Sequence, residues 1–239
     1  MNIDFSGKVA LIVGGTSGIG LDLAKQLSSS GAKTFVASRN DHGSLDSIGF
    51  IKCDVRDEKQ VKGLVGEIIS KETHIDILVN SMAINQCKPI EEISLDDWKD
   101  VVDTNITGIF LLCKEVIPHM KKRKYGKIVN ISSIAGRHRS PVSGVHYVAT
   151  KAAIIGFTRQ LAFEAAPFGI NVNVHCPSQT LTPMLKSSMN KEQIEALEAI
   201  IPLKRLATVE EQAYAVLFLC SDMSSYMSGA VLDVNGGQI

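Results

Sequence analysis

The sequence lacks the features of a secreted, membrane-spanning or nucleic-acid-binding protein. No apolar run in its 239 residues comes near the length of about 18 residues that a membrane-spanning helix needs. The first residues show no basic region followed by an apolar stretch, so we expect no signal peptide. Lysine plus arginine equals aspartate plus glutamate at 25 each, which gives no net attraction to nucleic acid or to an anionic membrane. We therefore expect no nucleic-acid partner and no membrane partner.

Cysteine is scarce, and its spacing argues against bound metal. The chain has five cysteines, an odd number, and none forms a Cys-x-x-Cys pair. Neither a disulfide framework nor a zinc site is therefore indicated. Free thiols are typical of a reducing cytosol, so we expect a cytoplasmic protein without a metal site.

What the sequence does contain is a regular alternation of short apolar runs and amphipathic segments. The runs that predict strands are Lys8–Val13, Lys33–Ser38, Phe50–Cys53, Ile75–Val79, Lys127–Ile131, Asn171–Cys176 and Val231–Val234. This alternation predicts a single α/β domain over residues 1–239, with a Rossmann-type, doubly wound, mainly parallel seven-stranded sheet and helices on both faces. Within it, residues 181–207 are expected to form a lid over the site.

Two helix starts and one basic run can also be interpreted from the residues alone. Ser94 with Asp97, and Thr208 with Glu211, have the spacing of a capping box and predict the first residues of two helices. The basic run Lys121–Lys124 is short and isolated, and we interpret it as a solvated loop.

A glycine-rich turn joins the first strand to the first helix. Gly14, Gly18 and Gly20 lie between the run ending at Val13 and a helical pattern. Glycines let the backbone approach a pyrophosphate closely, and the helix N-terminus supplies N–H donors and a positive dipole. The turn therefore predicts a dinucleotide site, and the alternative is a tight strand–helix turn without a ligand.

The end of the second predicted strand indicates which dinucleotide is bound. Folds of this kind read the adenosine ribose about twenty residues past the glycine turn, where an acid would bind a free 2′-hydroxyl. This chain has Ser38-Arg39 there and no acid. A hydroxyl and a guanidinium suit a 2′-phosphate, so NADP is favoured over NAD. The alternative is an ordinary exposed arginine at a strand end.

A tyrosine and a lysine four residues apart supply the candidate proton chemistry. Tyr147 and Lys151 share one helical face at this spacing. A phenol has a pKa near 10, and a nearby ammonium favours its ionised form. The pair can therefore give a proton to a carbonyl oxygen or take one from an alcohol, although an exposed helical pair is the alternative interpretation.

Taken in order, these motifs make the chain resemble the short-chain dehydrogenase/reductase family in its one-domain form. The resemblance covers essentially all 239 residues, and within the family the chain is most similar to the branch of 3-oxoacyl-[acyl-carrier-protein] reductases and sugar dehydrogenases. The matching positions are Gly14-x-x-x-Gly18-Ile19-Gly20, Asp54-Val55, Asn80, Asn105, Ser133, Tyr147-x-x-x-Lys151, Pro177 and Asn235-Gly236-Gly237.

The resemblance implies a role for each matching residue. Tyr147 would be the general acid in reduction and the base in oxidation, and Lys151 would lower its pKa and hold the nicotinamide ribose. Ser133 would hydrogen-bond the substrate oxygen, and Asn105 would position a water that links Lys151 to solvent. The implied cofactor-binding residues are Gly14, Thr16, Ser17, Gly18, Ile19, Ser38, Arg39, Asp54, Val55, Asn80, Tyr147, Lys151, Pro177, Thr180 and Thr182.

The chain departs from the family pattern beside the cofactor and the substrate. Val13 replaces a threonine, Ser81-Met82-Ala83 replaces Asn-Ala-Gly, and Ser178 replaces a glycine. Ser133 and Tyr147 are fourteen residues apart, one more than expected. No proposed catalytic residue is lost, so these changes affect cofactor affinity and pocket shape rather than the reaction class.

The expected function is therefore that of an NADP-dependent oxidoreductase that interconverts a carbonyl and a secondary alcohol by hydride transfer. Two alternatives stay open: a dinucleotide-binding regulator or scaffold without turnover, and a dehydratase or epimerase on the same fold. The helices around 105–117 and 147–166 carry apolar residues beyond one face. The family packs these helices between subunits, so a homotetramer is expected, or a dimer if only one interface forms.

The substrate is expected to be a small molecule, and the loops beside the site offer a hypothesis about its class. Basic and amide side chains occur there, namely Gln86, Arg137, His138, Arg139, His146 and Gln179. They favour a small polar carbonyl or hydroxy compound, for example a sugar or an acid. If the arginines instead face solvent or another subunit, the pocket is to be argued from Ile84, Met184 and Leu185.

Overall fold

Seven parallel strands form one twisted sheet at the centre of the protein. The computed structural model describes residues 3–40, 45, 47–183, 185 and 190–239. The strands are β1 (Val9–Val13), β2 (Lys33–Ser38), β3 (Ile48–Lys52), β4 (Ile77–Asn80), β5 (Gly126–Ile131), β6 (Ile170–Pro177) and β7 (Val231–Val234). Their order across the sheet is β3-β2-β1-β4-β5-β6-β7, and every neighbouring pair is parallel. The predicted doubly wound, seven-stranded sheet is confirmed.

Helices cover both faces of this sheet. They are α1 (Gly18–Ser29), α2 (Glu58–Glu72), α3 (Leu95–Val102), α4 (Gly108–Arg123), α5 (Val145–Ala165), α6 (Lys191–Ile200) and α7 (Val209–Cys220). Side chains of β1 alternate between the two cores: Leu11 and Val13 pack in one cluster, and Ala10 and Ile12 pack in the other. This alternation follows from the two-residue period of a strand and explains why β1 is apolar along its whole length.

Both predicted capping boxes are present. The amide of Asp97 donates to the Ser94 hydroxyl at 3.0 Å, and the amide of Glu211 donates to Thr208 at 3.1 Å. In each box the acidic side chain accepts in return from the backbone of the capping residue. These local contacts fix the first residues of α3 and α7.

Two local predictions are wrong, and a third is refined. The third strand is Ile48–Lys52 rather than Phe50–Cys53, because Gly49 pairs with Phe35 at the edge of the sheet despite its low strand propensity. The basic run is not a loop, since residues 121–123 form the last turn of α4, where cations complement the helix dipole. Asn105 lies within the long helical stretch expected there, in the π-helical turn Asp103–Thr107 that joins α3 to α4.

The lid segment is only partly described. Residues 184 and 186–189, which include Met184 of the substrate hypothesis, lie outside the described residues. The rest of the segment contains α6 and a bridge that pairs Thr180 with Ala207. Leu197 of α6 packs in a small apolar cluster that also contacts Val142 and Leu185, so α6 is joined to the loop before α5.

The site lies where the strand order reverses, between β1 and β4. In open α/β sheets the connections leave in opposite directions at this point and open a crevice at the carboxyl ends of the strands. Within the described ranges, no helix is long and apolar enough to cross a bilayer, and no cluster of histidine, cysteine and acidic side chains has the arrangement of a metal site.

Candidate active site

A cavity of about 450 Å³ opens along the carboxyl edge of the sheet. Residues that follow six of the seven strands line it, as expected for a site at the reversal point. Of the residues predicted from the sequence, it brings together Gly14, Thr16, Ser17, Gly18, Ile19, Ser38, Arg39, Asp54, Val55, Ser133, Tyr147, Lys151, Pro177, Thr180 and Thr182.

The glycine turn has the geometry of an anion cradle. Gly14 has a φ of +81°, and a Cβ added to it would come within 2.6 Å of the backbone nitrogen of Met82. Gly18, with a φ of +53°, begins α1 and lines the cavity. Ser17, the residue before it, makes no side-chain cap to the helix. The first amides of α1 are therefore available at the cavity, where they and the helix dipole favour a pyrophosphate.

The far end of the cavity is formed by the ends of β2 and β3. Ser38 and Arg39 leave β2 there, and Arg39 is exposed. Asp54 follows β3 and lines the same end. No ion pair to Arg39 occurs within the part of the chain that the structure describes. A cationic, uncommitted side chain therefore lies at the position where the sequence predicts a 2′-phosphate.

At the other end, Tyr147 and Ser133 face each other. Ser133 lies two residues after β5 and caps the short helical turn Ile134–Gly136 by accepting from the amide of Ala135 at 3.1 Å. Tyr147 lies in the first turn of α5. Burial raises the pKa of Tyr147 to about 12, and the hydrogen bond with Ser133 acts in the opposite direction. The phenol is thus protonated at neutral pH and positioned to donate.

Lys151 lies one turn beyond Tyr147 and is almost completely buried, with 2% of its surface exposed. Its Nζ donates to the carbonyl of Ile131 at 2.8 Å and lies 5.4 Å from the centre of the Tyr147 ring. Burial lowers the pKa of Lys151 to about 8. The net shift of the Tyr147 pKa is opposite to the lowering that the resemblance implied, because burial raises it more than the hydrogen bond with Ser133 lowers it.

The residues after β5 hold the backbone of Lys151 in place. Ser132 donates its hydroxyl to the backbone carbonyl of Lys151 at 2.7 Å. Gly136 packs so closely that an added Cβ would lie 2.6 Å from that same carbonyl. The turn that carries Ser133 is therefore joined directly to the helix that carries Tyr147 and Lys151.

Two predicted residues lie behind the cavity rather than in its lining. Asn105 accepts from the amide of Ile84 at 2.8 Å and donates to the carbonyl of Ile84 and to Thr150. Asn80 is fully buried and donates to Asn130 at 2.7 Å. Asn105 braces the backbone after β4, Asn80 joins β4 to the side chain of Asn130 in β5, and the water-positioning role implied for Asn105 stays a prediction.

The structure places most of the expected basic substrate residues elsewhere. Of that set only Gln179 lines the cavity. Arg137 instead contacts Asp233 of β7 at 3.2 Å, and Arg139 is exposed. His146, though buried, also lies outside the lining.

The lining also includes residues that were not predicted to be site residues. They are Ser81, Met82, Ala83, Asn85, Thr104, Ile131, Ser132, Ile134, Ser140, Val142, Ser143, Ser178 and Pro183. Asn85 donates its amide to the carbonyl of Val142 at 3.0 Å, which joins the loop after β4 to the loop before α5. Ile84, one of the alternative pocket residues predicted from the sequence, also lines the cavity. The departures from the family pattern at 81–83 and at Ser178 were the sequence features that pointed to this wall.

Comparison with known proteins gives consistent matches over the whole chain. The family model described as enoyl-(acyl carrier protein) reductase matches residues 13–238. An acetoacetyl-CoA reductase from Acinetobacter sp. (strain RA3849) is 37% identical over 96% of this chain and 97% of its own length. The 3-oxoacyl-[acyl-carrier-protein] reductase FabG from Aquifex aeolicus (strain VF5) is 36% identical over 99% of both chains.

Solved structures of dehydrogenases and reductases also match nearly the whole chain. Levodione reductase superposes with a TM-score of 0.94 at 30% identity, covering 98% of both chains. The ligand-free aldohexose dehydrogenase of Thermoplasma acidophilum superposes with a TM-score of 0.92, also at 30% identity, over 98% of this chain and 94% of its own. These two proteins therefore share their overall fold with the chain described here.

Proposed function

The chain belongs to the short-chain dehydrogenase/reductase family and is an NAD(P)-dependent oxidoreductase acting on CH–OH groups; on this premise we propose that it interconverts a carbonyl compound and a secondary alcohol with NADP, using Tyr147 as acid and base. The observation that carries the proposal is the convergence of Ser133, Tyr147 and Lys151 at one end of a cavity that begins at a glycine cradle. A phenol with a raised pKa beside a serine hydroxyl suits proton donation to a carbonyl oxygen.

The residues of the cavity fit a dinucleotide. The free amides at the start of α1 suit the pyrophosphate, and Arg39 suits a 2′-phosphate. The packing of Gly14 against the Met82 backbone holds the glycine turn against the segment after β4. When bound, the nicotinamide supplies or accepts the hydride. Lys151, turned now to the carbonyl of Ile131, would contact the ribose and stabilise a phenolate at Tyr147.

The protein's own contribution to the reaction is positioning and proton transfer. Ser133 would hold the substrate oxygen next to Tyr147, which gives its proton as the carbonyl becomes an alkoxide. In the reverse direction Tyr147 must first lose that proton, and its raised pKa makes this the harder direction at neutral pH. The site is therefore better suited to reduction than to oxidation near pH 7.

The substrate end of the cavity supports an uncharged carbonyl compound. Its described walls are apolar at Ile84, Ile134 and Val142 and carry small hydroxyls at Ser140 and Ser143. Arg137, the nearest candidate for a carboxylate contact, is held by Asp233 instead. Since two relatives are named as reductases of 3-oxoacyl and acetoacetyl thioesters, such thioesters are the first substrates to test.

The direct test is to offer a panel of ketones, sugars and 3-oxoacyl thioesters with NADPH and to monitor reduction by the loss of absorbance of the reduced cofactor. We expect turnover with at least one uncharged carbonyl compound. Tyr147→Phe should lower kcat by about a hundredfold to ten-thousandfold, the usual contribution of a positioned acid, while NADPH still binds. Near-normal kcat in Tyr147→Phe would refute the assignment of Tyr147.

Two other functions have different outcomes in the same assay. A dinucleotide-binding regulator would bind NADPH without turnover on any substrate. A dehydratase or epimerase would form product with no net change in the redox state of the cofactor. Ser133, Tyr147 and Lys151 lie at one end of the cavity, an arrangement that favours the oxidoreductase over both.

We also propose that the protein assembles as a homotetramer in the cytoplasm. Phe110 of α4 and Phe163 of α5 are 48% and 79% exposed, and large apolar side chains in such positions favour contact with another subunit. All five cysteines are free, which supports a reducing compartment. Sedimentation at micromolar concentration tests the assembly, and a monomer would contradict it.

A further inference from the structure

The carboxyl ends of β2 and β3 bring two opposite charges side by side. Ser38 of β2 is paired with Lys52 of β3, and the amide of Cys53 still donates to the carbonyl of Ser38 at 2.9 Å. Continuing this register places Arg39 opposite Cys53, with Asp54 one residue further along, so Arg39 and Asp54 leave the sheet close together on adjacent strands whose backbones are about 5 Å apart. Both line the end of the cavity where the 2′-phosphate is proposed to bind.

Arg39 and Asp54 nevertheless do not pair with each other. Asp54 is instead held by Arg56, whose Nε donates to both carboxylate oxygens at 3.0 and 3.1 Å and whose Nη2 donates at 2.6 Å. The amide of Arg56 adds a fourth contact at 3.0 Å. The remaining nitrogen of the guanidinium contacts Asp100 of α3, which fixes Arg56 from the other side.

From this arrangement we infer that Arg56 is a positioning residue that sets the preference for NADP: it occupies the carboxylate of Asp54 and so leaves Arg39 available to a 2′-phosphate. The inference rests on the proposed use of NADP. It adds a residue that does not line the cavity and that would act only through Asp54 and Arg39.

The physical reason is competition for one cation. Without Arg56, the free carboxylate of Asp54 would be the nearest partner for Arg39, and its charge would also repel an incoming phosphate. The guanidinium of Arg56 neutralises that charge and satisfies both oxygens in a bidentate manner, which a lysine could not do. In agreement, the pKa of Asp54 is lowered, chiefly by its hydrogen bond with Arg56 and least by Arg39.

A purely structural role for Arg56 predicts a different result. The contacts from Arg56 to Asp54 and Asp100 also tie the loop after β3 to α3. If that were their only effect, loss of Arg56 would weaken NADPH and NADH binding by the same factor. The ratio of the two dissociation constants, Kd for NADH over Kd for NADPH, therefore separates the two roles, because a general loosening of the site cancels in it.

The test measures this ratio by fluorescence titration for the whole protein and four variants. Arg39→Gln should abolish most of the preference. Arg56→Gln should lower the ratio about fivefold, the factor expected when an exposed ion pair competes for Arg39. In the double variant Asp54→Asn/Arg56→Gln the competing charge is gone, so the ratio should return to the parent value. In Arg39→Gln/Arg56→Gln the ratio should equal that of Arg39→Gln alone.

Each failure has a distinct meaning. If Arg39→Gln leaves the ratio unchanged, the proposed NADP site is wrong, and the inference falls with it. If Arg39→Gln lowers the ratio but Arg56→Gln does not, the cofactor proposal survives and the role of Arg56 is refuted. If Arg56→Gln lowers the ratio but Asp54→Asn does not restore it, the competition through Asp54 is refuted.

Discussion

Replacing Lys151 by methionine is expected to make the protein more stable while it abolishes the proposed activity. Lys151 is buried to 2% exposure, and the one hydrogen bond of its ammonium that the structure records is to the carbonyl of Ile131. A buried charge with so little compensation costs folding free energy. The protein keeps this charge because the proposed reaction uses it beside Tyr147.

The size of the effect follows from the pKa of Lys151. That pKa is about 8 in the folded protein against an ordinary value of 10.5. Because one pKa unit corresponds to about 1.4 kcal/mol, the charge costs the folded state about 3 kcal/mol at neutral pH. Methionine has a similar length and no charge, but it leaves the Ile131 carbonyl without its donor, which costs about 1–2 kcal/mol. The net gain is about 1–2 kcal/mol, or about 5 °C in Tm for a chain of this size.

The gain in stability of Lys151→Met over the parent should also decrease as the pH rises. Between about pH 8 and 10.5 the unfolded parent binds a proton at Lys151 that the folded parent does not, so the stability of the parent rises with pH in this window. Lys151→Met has no such proton to lose. The difference in stability between variant and parent should therefore be largest at pH 7 and shrink towards pH 10.

Thermal and urea unfolding of both proteins without cofactor, at pH 7 and pH 10, measures this difference. Lys127→Met is a matched control, because Lys127 is also 2% exposed but donates to Asn171 at 2.9 Å and lies outside the cavity. It should keep activity and gain no stability, since methionine both leaves the Asn171 oxygen unpaired and removes the ion pair of Lys127 with Asp222 at 3.8 Å, which compensates the buried charge in the parent. The reasoning is refuted if Lys151→Met is less stable than the parent at pH 7, or if the gap is the same at both pH values.

Three further predictions concern the proton, the cradle and the substrate. The rate of oxidation should rise with pH because Tyr147 must ionise. The rate of reduction should be constant up to about pH 8 and then fall as Lys151 loses its charge. Parallel pH profiles in the two directions would argue against these assignments. Gly14→Ala should destabilise the protein by about 1–2 kcal/mol or more and weaken NADPH binding, because its positive φ and the Met82 backbone exclude a Cβ. The control Gly63→Ala in α2, where an added Cβ meets nothing within 4 Å, should be neutral or stabilising; equal effects at both glycines would refute the close-approach argument. Arg137→Ala should not change the ratio of kcat/KM between matched substrates with and without a carboxylate, and a large change would return Arg137 to the substrate pocket.

Local patterns in the sequence were sufficient to predict much of this architecture. The bounds of β2 and β7 agree with prediction, and the two capping boxes form as their spacing indicates. These features depend on side chains a few residues apart, so a short window of sequence contains the whole interaction. The catalytic candidates were found for a similar reason, since Tyr147 and Lys151 are one helical turn apart.

Features that depend on distant partners could not be predicted in this way. The charge of Arg137 and its place in a loop near the site suggest a substrate-binding residue. Its ion pair with Asp233, however, depends on β7, almost a hundred residues later in the chain. The π-helical turn at Asn105 is held by contacts to Ile84 and Thr150, neither of which is a sequence neighbour. The pKa of Tyr147 likewise reflects its burial, which only the assembled cavity determines.

The pairing of β1 with β4 has a consequence for how the chain folds. These strands are neighbours in the sheet although Ala10 and its partner Ile77 are far apart in sequence, with β2, β3 and α2 between them. Such a pairing closes a long loop and is expected to form slowly compared with local contacts. The contact of Gly14 with the Met82 backbone, which closes this part of the crevice wall, exists only after this pairing has formed. A dinucleotide that binds there therefore favours molecules in which the two halves of the sheet have already joined, and protects that junction against reopening.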